Sequence, residues 1–347
     1  MKFAVGFQLF EPGEEPFSAI VNDYREHISE VFFPWQDMPS GRSPLATQNG
    51  FTDWTAQQRT EEELRRIKQM GIKLDLLFNG NCYGGYALSE KLANQVLSII
   101  GHLSEAVGGV DIVTTTSPAI AHTIKKYFPQ IEMRASVNMK IGTVKGMEYL
   151  SDLFDSFHIQ RDYNRDLNHI RELRKWADDH EKKLIMLANS GCFIHCSGQT
   201  FHDNLVAHEH EICTVKNIDD FNPYVCWKML KKRENWPMLL QNTWVRPEDL
   251  HHYEGLIDTV KLATRMHALP GLVIGAYSRG YHIGNTLDLF EPGFGPALSP
   301  FIINNSAFPT DWFSHVTACD KQCHHCTYCE SILEQVLLNT EEATELP

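Results

Sequence analysis

No run of eighteen apolar residues occurs in this 347-residue chain, so nothing in it reads as a membrane-spanning helix. The opening Met1–Phe10 holds one lysine and a short apolar stretch interrupted by Gln8, with Glu11 just beyond, so it reads as neither a secretory signal nor a span; a cytoplasmic location is the expectation. A basic run is missing too. Thirty-one Lys and Arg stand against 44 Asp and Glu, and a formal net charge of -13 repels phosphate backbones, so nucleic acid is not an expected partner. No Gly-rich phosphate turn follows the first apolar run, where Phe10-Glu11-Pro12-Gly13 stands instead, and there is no P-loop and no G-x-S-x-G elbow. Nucleotide hydrolysis and serine hydrolysis are therefore without a motif. No internal repeat or low-complexity run breaks the chain.

What is present is a soluble-protein composition, 43% hydrophobic and 22% charged, in a length that suits one barrel of ~250 residues with an appendage. Eight short β-branched or aromatic runs alternate with amphipathic stretches, which predicts βα units and a parallel sheet. The runs are Lys2–Gln8, Glu30–Pro34, Ile72–Phe78, Val110–Thr114, Ile131–Val137, Ser156–Arg161, Lys183–Leu187 and Ile257–Ala263. Helices are expected over Glu61–Met70, Leu88–Ala106, Pro118–Tyr127 and Leu167–His180. Eight units predict an α/β fold of the (β/α)8 TIM-barrel type, with an open doubly wound sheet as the alternative. The expected organisation is a barrel over 1–280, an insertion at 188–245 after the seventh strand, and a cysteine-rich extension over 281–347. A connection as long as the insertion is usually functional, and it leaves the face where barrel enzymes place their chemistry. The tail from Tyr277 reads as irregular, with Gly and Pro crowded around Glu291–Pro296.

Nine cysteines in a cytosolic chain point to metal or redox chemistry rather than disulfides. Cys82 is isolated; Cys192, Cys196, Cys213 and Cys226 form one group; Cys319, Cys323, Cys326 and Cys329 form a C-x3-C-x2-C-x2-C run. Compact thiolate spacing of that kind suits an iron–sulfur cluster, or tetrahedral zinc as the alternative at the tail. The first three tail cysteines also match the radical S-adenosylmethionine spacing, although those enzymes carry it early in the barrel. The segment His202–Glu211 is rich in imidazole and carboxylate but lacks H-E-x-x-H, so a zinc-protease helix is not expected there.

Polar residues at the predicted carboxyl ends of strands include Asn79, Asn81, Asn138, Gln160, Arg161, Asp162, Asn164, Asn189, Lys261 and Arg265. Asn138, Arg161, Asp162, Lys261 and Arg265 are the candidate catalytic residues. A ligand pocket is expected between Asn138, Arg161, Asn189, Lys261 and Arg265, and its three basic groups favour an anionic substrate. Arg161 and Arg165, which flank Asp162, are expected to lower its pKa, which suits positioning better than proton abstraction.

The segment Lys183–Gly198, in which an apolar strand leads into Cys192 and a following Ser197-Gly198, resembles the signature of the collagenase-like peptidases, family U32. Thr259–Arg265 is similar to that family's Lys-Ile-Glu-Gly-Arg strand, and Ala135–Asn138 to its Ser-x-Asn stretch; the likeness spans residue 1 to about 280. The family glutamate falls on Ala263, however, and the family cysteine after Cys192 would fall near Gln199, with Cys196 displaced. The resemblance implies a barrel holding a [4Fe–4S] cluster on four cysteines, here Cys192, Cys196, Cys213 and Cys226. Some members act in oxygen-independent hydroxylation of a quinone precursor or of RNA bases, and others are named peptidases. The expected function is thus iron–sulfur-dependent, oxygen-independent modification of a small molecule, peptide or base, with one or two clusters. The alternatives are a peptidase and a non-catalytic cluster-bearing subunit, and a partner subunit or electron donor is a further expectation.

Overall fold

The computed structural model describes residues 1–36, 38–41 and 53–343. Eight parallel strands close a barrel in chain order, β1 (Phe3–Gly6), β2 (Ile28–Pro34), β3 (Lys73–Phe78), β4 (Ile112–Thr115), β5 (Glu132–Ala135), β6 (Ser156–His158), β7 (Lys183–Leu187) and β8 (Thr259–Leu262), with β8 returning to β1. All eight expected runs are strands. Most are shorter than the apolar pattern, because the residues beyond the ladder turn into loops at the mouth. The helices begin where the sequence supplies caps: Asp53 accepts from the Ala56 N–H, Ser89 from Leu92, Ser117 from Ile120 with Pro118 at the first position, and Asp166 from His169.

Alternation along the strands splits the core in two. Val5, Val31, Leu74, Leu76, Val113, Met133, Phe157, Met186 and Val260 face the helices in one large apolar cluster. Only Ala4, Phe32 and Leu77 form the apolar cluster inside the barrel. The same phase carries the buried apolar Ile112, Ile185 and Leu187 and a set of buried charged or polar residues, Glu30, Asp75, Thr114, Arg134, His158 and Lys261. A TIM barrel is normally filled by branched apolar side chains. This one is filled in large part by a hydrogen-bonded polar network, which costs stability unless every member is paired.

Between β7 and β8 the insertion is helical, with segments Gln199–Ala207, Glu209–Cys213, Val225–Leu230 and Met238–Gln241. The tail, expected to be irregular, folds into helices Trp312–Ala318 and Tyr328–Val336 and a two-stranded antiparallel sheet of β9 (Phe301–Ile303) and β10 (Leu337–Asn339). Local Gly and Pro hid this order, because the tail is held by docking. Glu291 donates its N–H to the Asn189 carbonyl and accepts from the Gly191 N–H, and a Cβ on Gly191 would collide with the Pro292 carbonyl. Residues 344–347 of the 281–347 extension lie outside the described residues. Among the described residues no helix is long and apolar enough to cross a membrane.

Candidate functional site

A pocket of about 160 Å3 opens at the carboxyl ends of the strands, roofed by the insertion. Asn138, Arg161, Lys261 and Arg265 line it, together with Cys192, Cys196 and Cys226. Residues from five parts of the chain meet there because every strand of a parallel barrel delivers its following loop to one face. Gly6 makes room for Arg265: a Cβ at Gly6 would stand 2.7 Å from the Arg265 Cβ and backbone nitrogen. Arg265 Nη1 lies 3.2 Å from Ser40 Oγ, and Arg161 Nη1 3.3 Å from Ser190 Oγ.

The floor is the Lys261 amine, whose Nζ rests 3.9 Å from the centre of the Phe32 ring. Burial pushes its pKa down to about 8, with Arg265 and Arg134 adding repulsion against the attraction of Asp75 and Glu30. Beneath it, burial pushes Asp75 up to about 6, against the pull of Arg134 and Lys261. Asp75 accepts from Thr114 Oγ1 at 2.8 Å. Arg134 forks onto both oxygens of Glu30, at 2.5 and 3.0 Å, and reaches Glu132 at 2.7 Å. Glu132 is held at about 2: burial opposes ionisation, but Arg134, Lys183 and Ser156 outweigh it. His158 donates from Nδ1 to the Ala135 carbonyl, and burial with Lys261 and Arg134 nearby holds its pKa well below the usual imidazole value.

One expected pocket residue and one candidate catalytic residue do other work. Asn189 is fully buried and does not line the pocket; its Oδ1 accepts the Ala263 N–H at 2.6 Å and its Nδ2 donates to the Ala263 and Leu289 carbonyls. Asp162 likewise stands outside the lining, accepting the His195 N–H at 2.7 Å and the Gln160 amide at 2.9 Å. Burial works to raise the Asp162 pKa, but these bonds and Arg161 hold it below the usual carboxylate range. Arg165 plays no part in that, contrary to expectation. It turns under the tail, with its guanidinium 4.5 Å from the Trp244 ring centre and 5.3 Å from that of Trp312. Asn164 is also structural, donating to the Leu187 carbonyl.

The first cysteine group is only partly assembled. Cys192, Cys196 and Cys226 share the pocket, whereas Cys213 is exposed at the end of helix Glu209–Cys213 and is not among the lining residues. The expected set of four is therefore a set of three here, because the helix carries Cys213 outward. The four tail cysteines line one small cavity of their own. Burial and the neighbouring thiols push Cys329 up to about 11, against the pull of Arg165. Among the described residues no three His, Cys, Asp or Glu side chains are spaced so as to grip a metal ion as they stand.

One arrangement escaped the sequence reading. Cys82, in the loop after β3, hydrogen-bonds His208 of the insertion; this contact first, then the Gly84 N–H, lowers its thiol pKa, and the same contact raises His208. Glu211 Oε2 stands 3.1 Å from His208 Nδ1, completing a thiol–imidazole–carboxylate series. The residues are 126 and 3 positions apart, so only the odd isolated cysteine hinted at it.

Fold and site together define a (β/α)8 barrel with a cationic, thiol-bearing mouth. No protein-family model matches the chain. It is 24% identical to an uncharacterized protease of Methanocaldococcus jannaschii, over 95% of this chain and 98% of that protein. Among solved structures it is similar to the U32 peptidase Mk0906, with a TM-score of 0.51 and 15% identity over 75% of this chain and 92% of that one. The likeness to the U32 peptidases expected from the sequence is thereby borne out.

Proposed function

We propose that the chain is an iron–sulfur enzyme that modifies an anionic small molecule, peptide or base at the barrel mouth without molecular oxygen. The observation that carries this reading is the sharing of one pocket by three thiols, Cys192, Cys196 and Cys226, and three cations, Arg161, Lys261 and Arg265. Three convergent thiols are a soft donor set suited to iron–sulfur binding, and a cluster held there would supply single electrons next to the substrate. The guanidinium groups of Arg161 and Arg265 would clamp a carboxylate or phosphate, since planar forks match such oxygens. Lys261 would hold or release a proton at Nζ near neutral pH, with Asp75 below it as the group that shares its charge. Phe32 and Leu77 give the floor an apolar face.

Anaerobic purification with iron and sulfide counts tests the proposal, the expectation being about four of each per chain at the mouth. Cys192→Ala should lose that iron and the visible absorption. A sulfide-free wild type, or iron unchanged in Cys192→Ala, overturns it.

A second reading is favoured by the Cys82–His208–Glu211 series and by the protease names of the relatives. A thiol with a lowered pKa beside an oriented imidazole is the arrangement of a cysteine nucleophile and its base. If Cys82→Ala abolishes peptide cleavage while iron stays in place, the hydrolytic reading replaces the redox one.

A further inference from the structure

The tail cysteines line a cavity that shares no lining residue with the mouth pocket. Cys319 ends helix Trp312–Ala318, Cys323 and Cys326 lie on the following turn, and Cys329 opens helix Tyr328–Val336. All four line one small cavity. Cys319 and Cys323 are spaced C-x3-C and Cys326 and Cys329 C-x2-C, the paired spacing of closed structural zinc sites.

The surrounding charges suit a metal held by thiolates. Four thiolates on one divalent ion carry a net charge of -2. Two cations are placed to balance it. Lys321 Nζ sits 3.2 Å from Cys319 Sγ. Arg165 is buried, feels the charges of Cys329 and Cys319, and has one guanidinium nitrogen, Nη2, without a hydrogen-bond partner among the described residues. A buried cation with a spare donor is costly unless an anion stands near it. Its other nitrogens bind the Trp244 and Leu240 carbonyls, which belong to the end of the insertion.

We propose that Cys319, Cys323, Cys326 and Cys329 form a structural site for a single tetrahedral thiolate-bound ion, zinc, which clips the tail onto the barrel mouth through Arg165. The sulfurs close on the ion by side-chain rotation, for which Cys326, exposed on its turn, has freedom. The site is independent of the mouth thiols.

Metal analysis of the full-length protein, wild type and variants, tests this. The wild type should hold about one zinc per chain beyond any metal at the mouth. Cys326→Ser should lose it, and Cys192→Ser should retain it. Cobalt(II) added to metal-stripped wild type should give the intense visible bands of a tetrahedral thiolate site, absent in Cys326→Ser. Should Cys326→Ser fail to fold, Arg165→Met, which leaves all four thiols, should weaken zinc retention against a chelator at least tenfold. Iron with sulfide lost on Cys326→Ser would overturn the proposal in favour of a cluster. Four freely titrating tail thiols in native, zinc-free wild type would overturn it outright.

Discussion

At the scale of single residues, the unusual chemistry of this barrel is its charged interior. Asp75 is the sharpest case, because its folded pKa of about 6 lies above the value of 3.8 expected of it when unfolded. The native state therefore binds the extra proton, and this group's contribution to stability falls as pH rises from about 4 to about 6. Asp75→Asn removes that dependence. The unfolding free energy of Asp75→Asn relative to wild type should rise across this window by at most on the order of 3 kcal/mol and level off above it. A difference that is flat from pH 4 to 7 would remove Asp75 from the account. Arg134 is the opposite case. Fully buried, it pairs with Glu30 and Glu132 and lies 3.9 Å from Asp75, so Arg134→Met takes the ion-pair partner from buried Glu30 and a cation from beside Glu132 and Asp75, which keep Lys183 and Thr114. A loss of about 3–5 kcal/mol, or failure to fold, is expected; an unchanged urea midpoint would show that the carboxylates simply protonate.

At the scale of elements, β7, β8 and the tail are joined by one side chain. Asn189 satisfies both backbone groups of Ala263 and the Leu289 carbonyl from a position with no solvent contact. Asn189→Ala leaves all three without that partner, at about 1–3 kcal/mol each where water cannot enter. Hydrogen exchange at the Ala263 amide should accelerate more than that of β2 or β3, and Arg265, two residues on, should bind its ligand less well. Uniform acceleration across the barrel would mean that Asn189 supports general stability only. From the sequence, Asn189 and Arg265 looked alike, as polar residues at strand ends. What separates them is whether the side chain turns across the ladder or up into the mouth, and strand periodicity stops informing at the last paired residue. For the same reason Asp162 read as a mouth residue and proved to hold the His195 loop.

At the scale of the whole molecule, a rigid barrel carries a lid with a weak place. Residues 214–222 of the insertion, which include Val215, Ile218 and Phe221, are exposed, and so is Lys216. Brief trypsin treatment should cut first at Lys216, leaving two fragments that stay together under native conditions because both bury barrel strands. An initial cut in the tail at Lys321 instead would show that the tail, not the insertion, is the loosest part. The eight-strand alternation, the capped helices and the U32-like stretch into Cys192 were legible in the chain, since periodicity, caps and local motifs are short-range properties. The grouping of cysteines was legible only as spacing. Three-dimensional placement split Cys213 from Cys192, Cys196 and Cys226, drew Cys82 to His208, and set Arg165 beneath the tail instead of beside Asp162. Those outcomes depend on helix direction and on contacts between segments up to 126 residues apart, and no local pattern encodes which of several like side chains will face a common cavity.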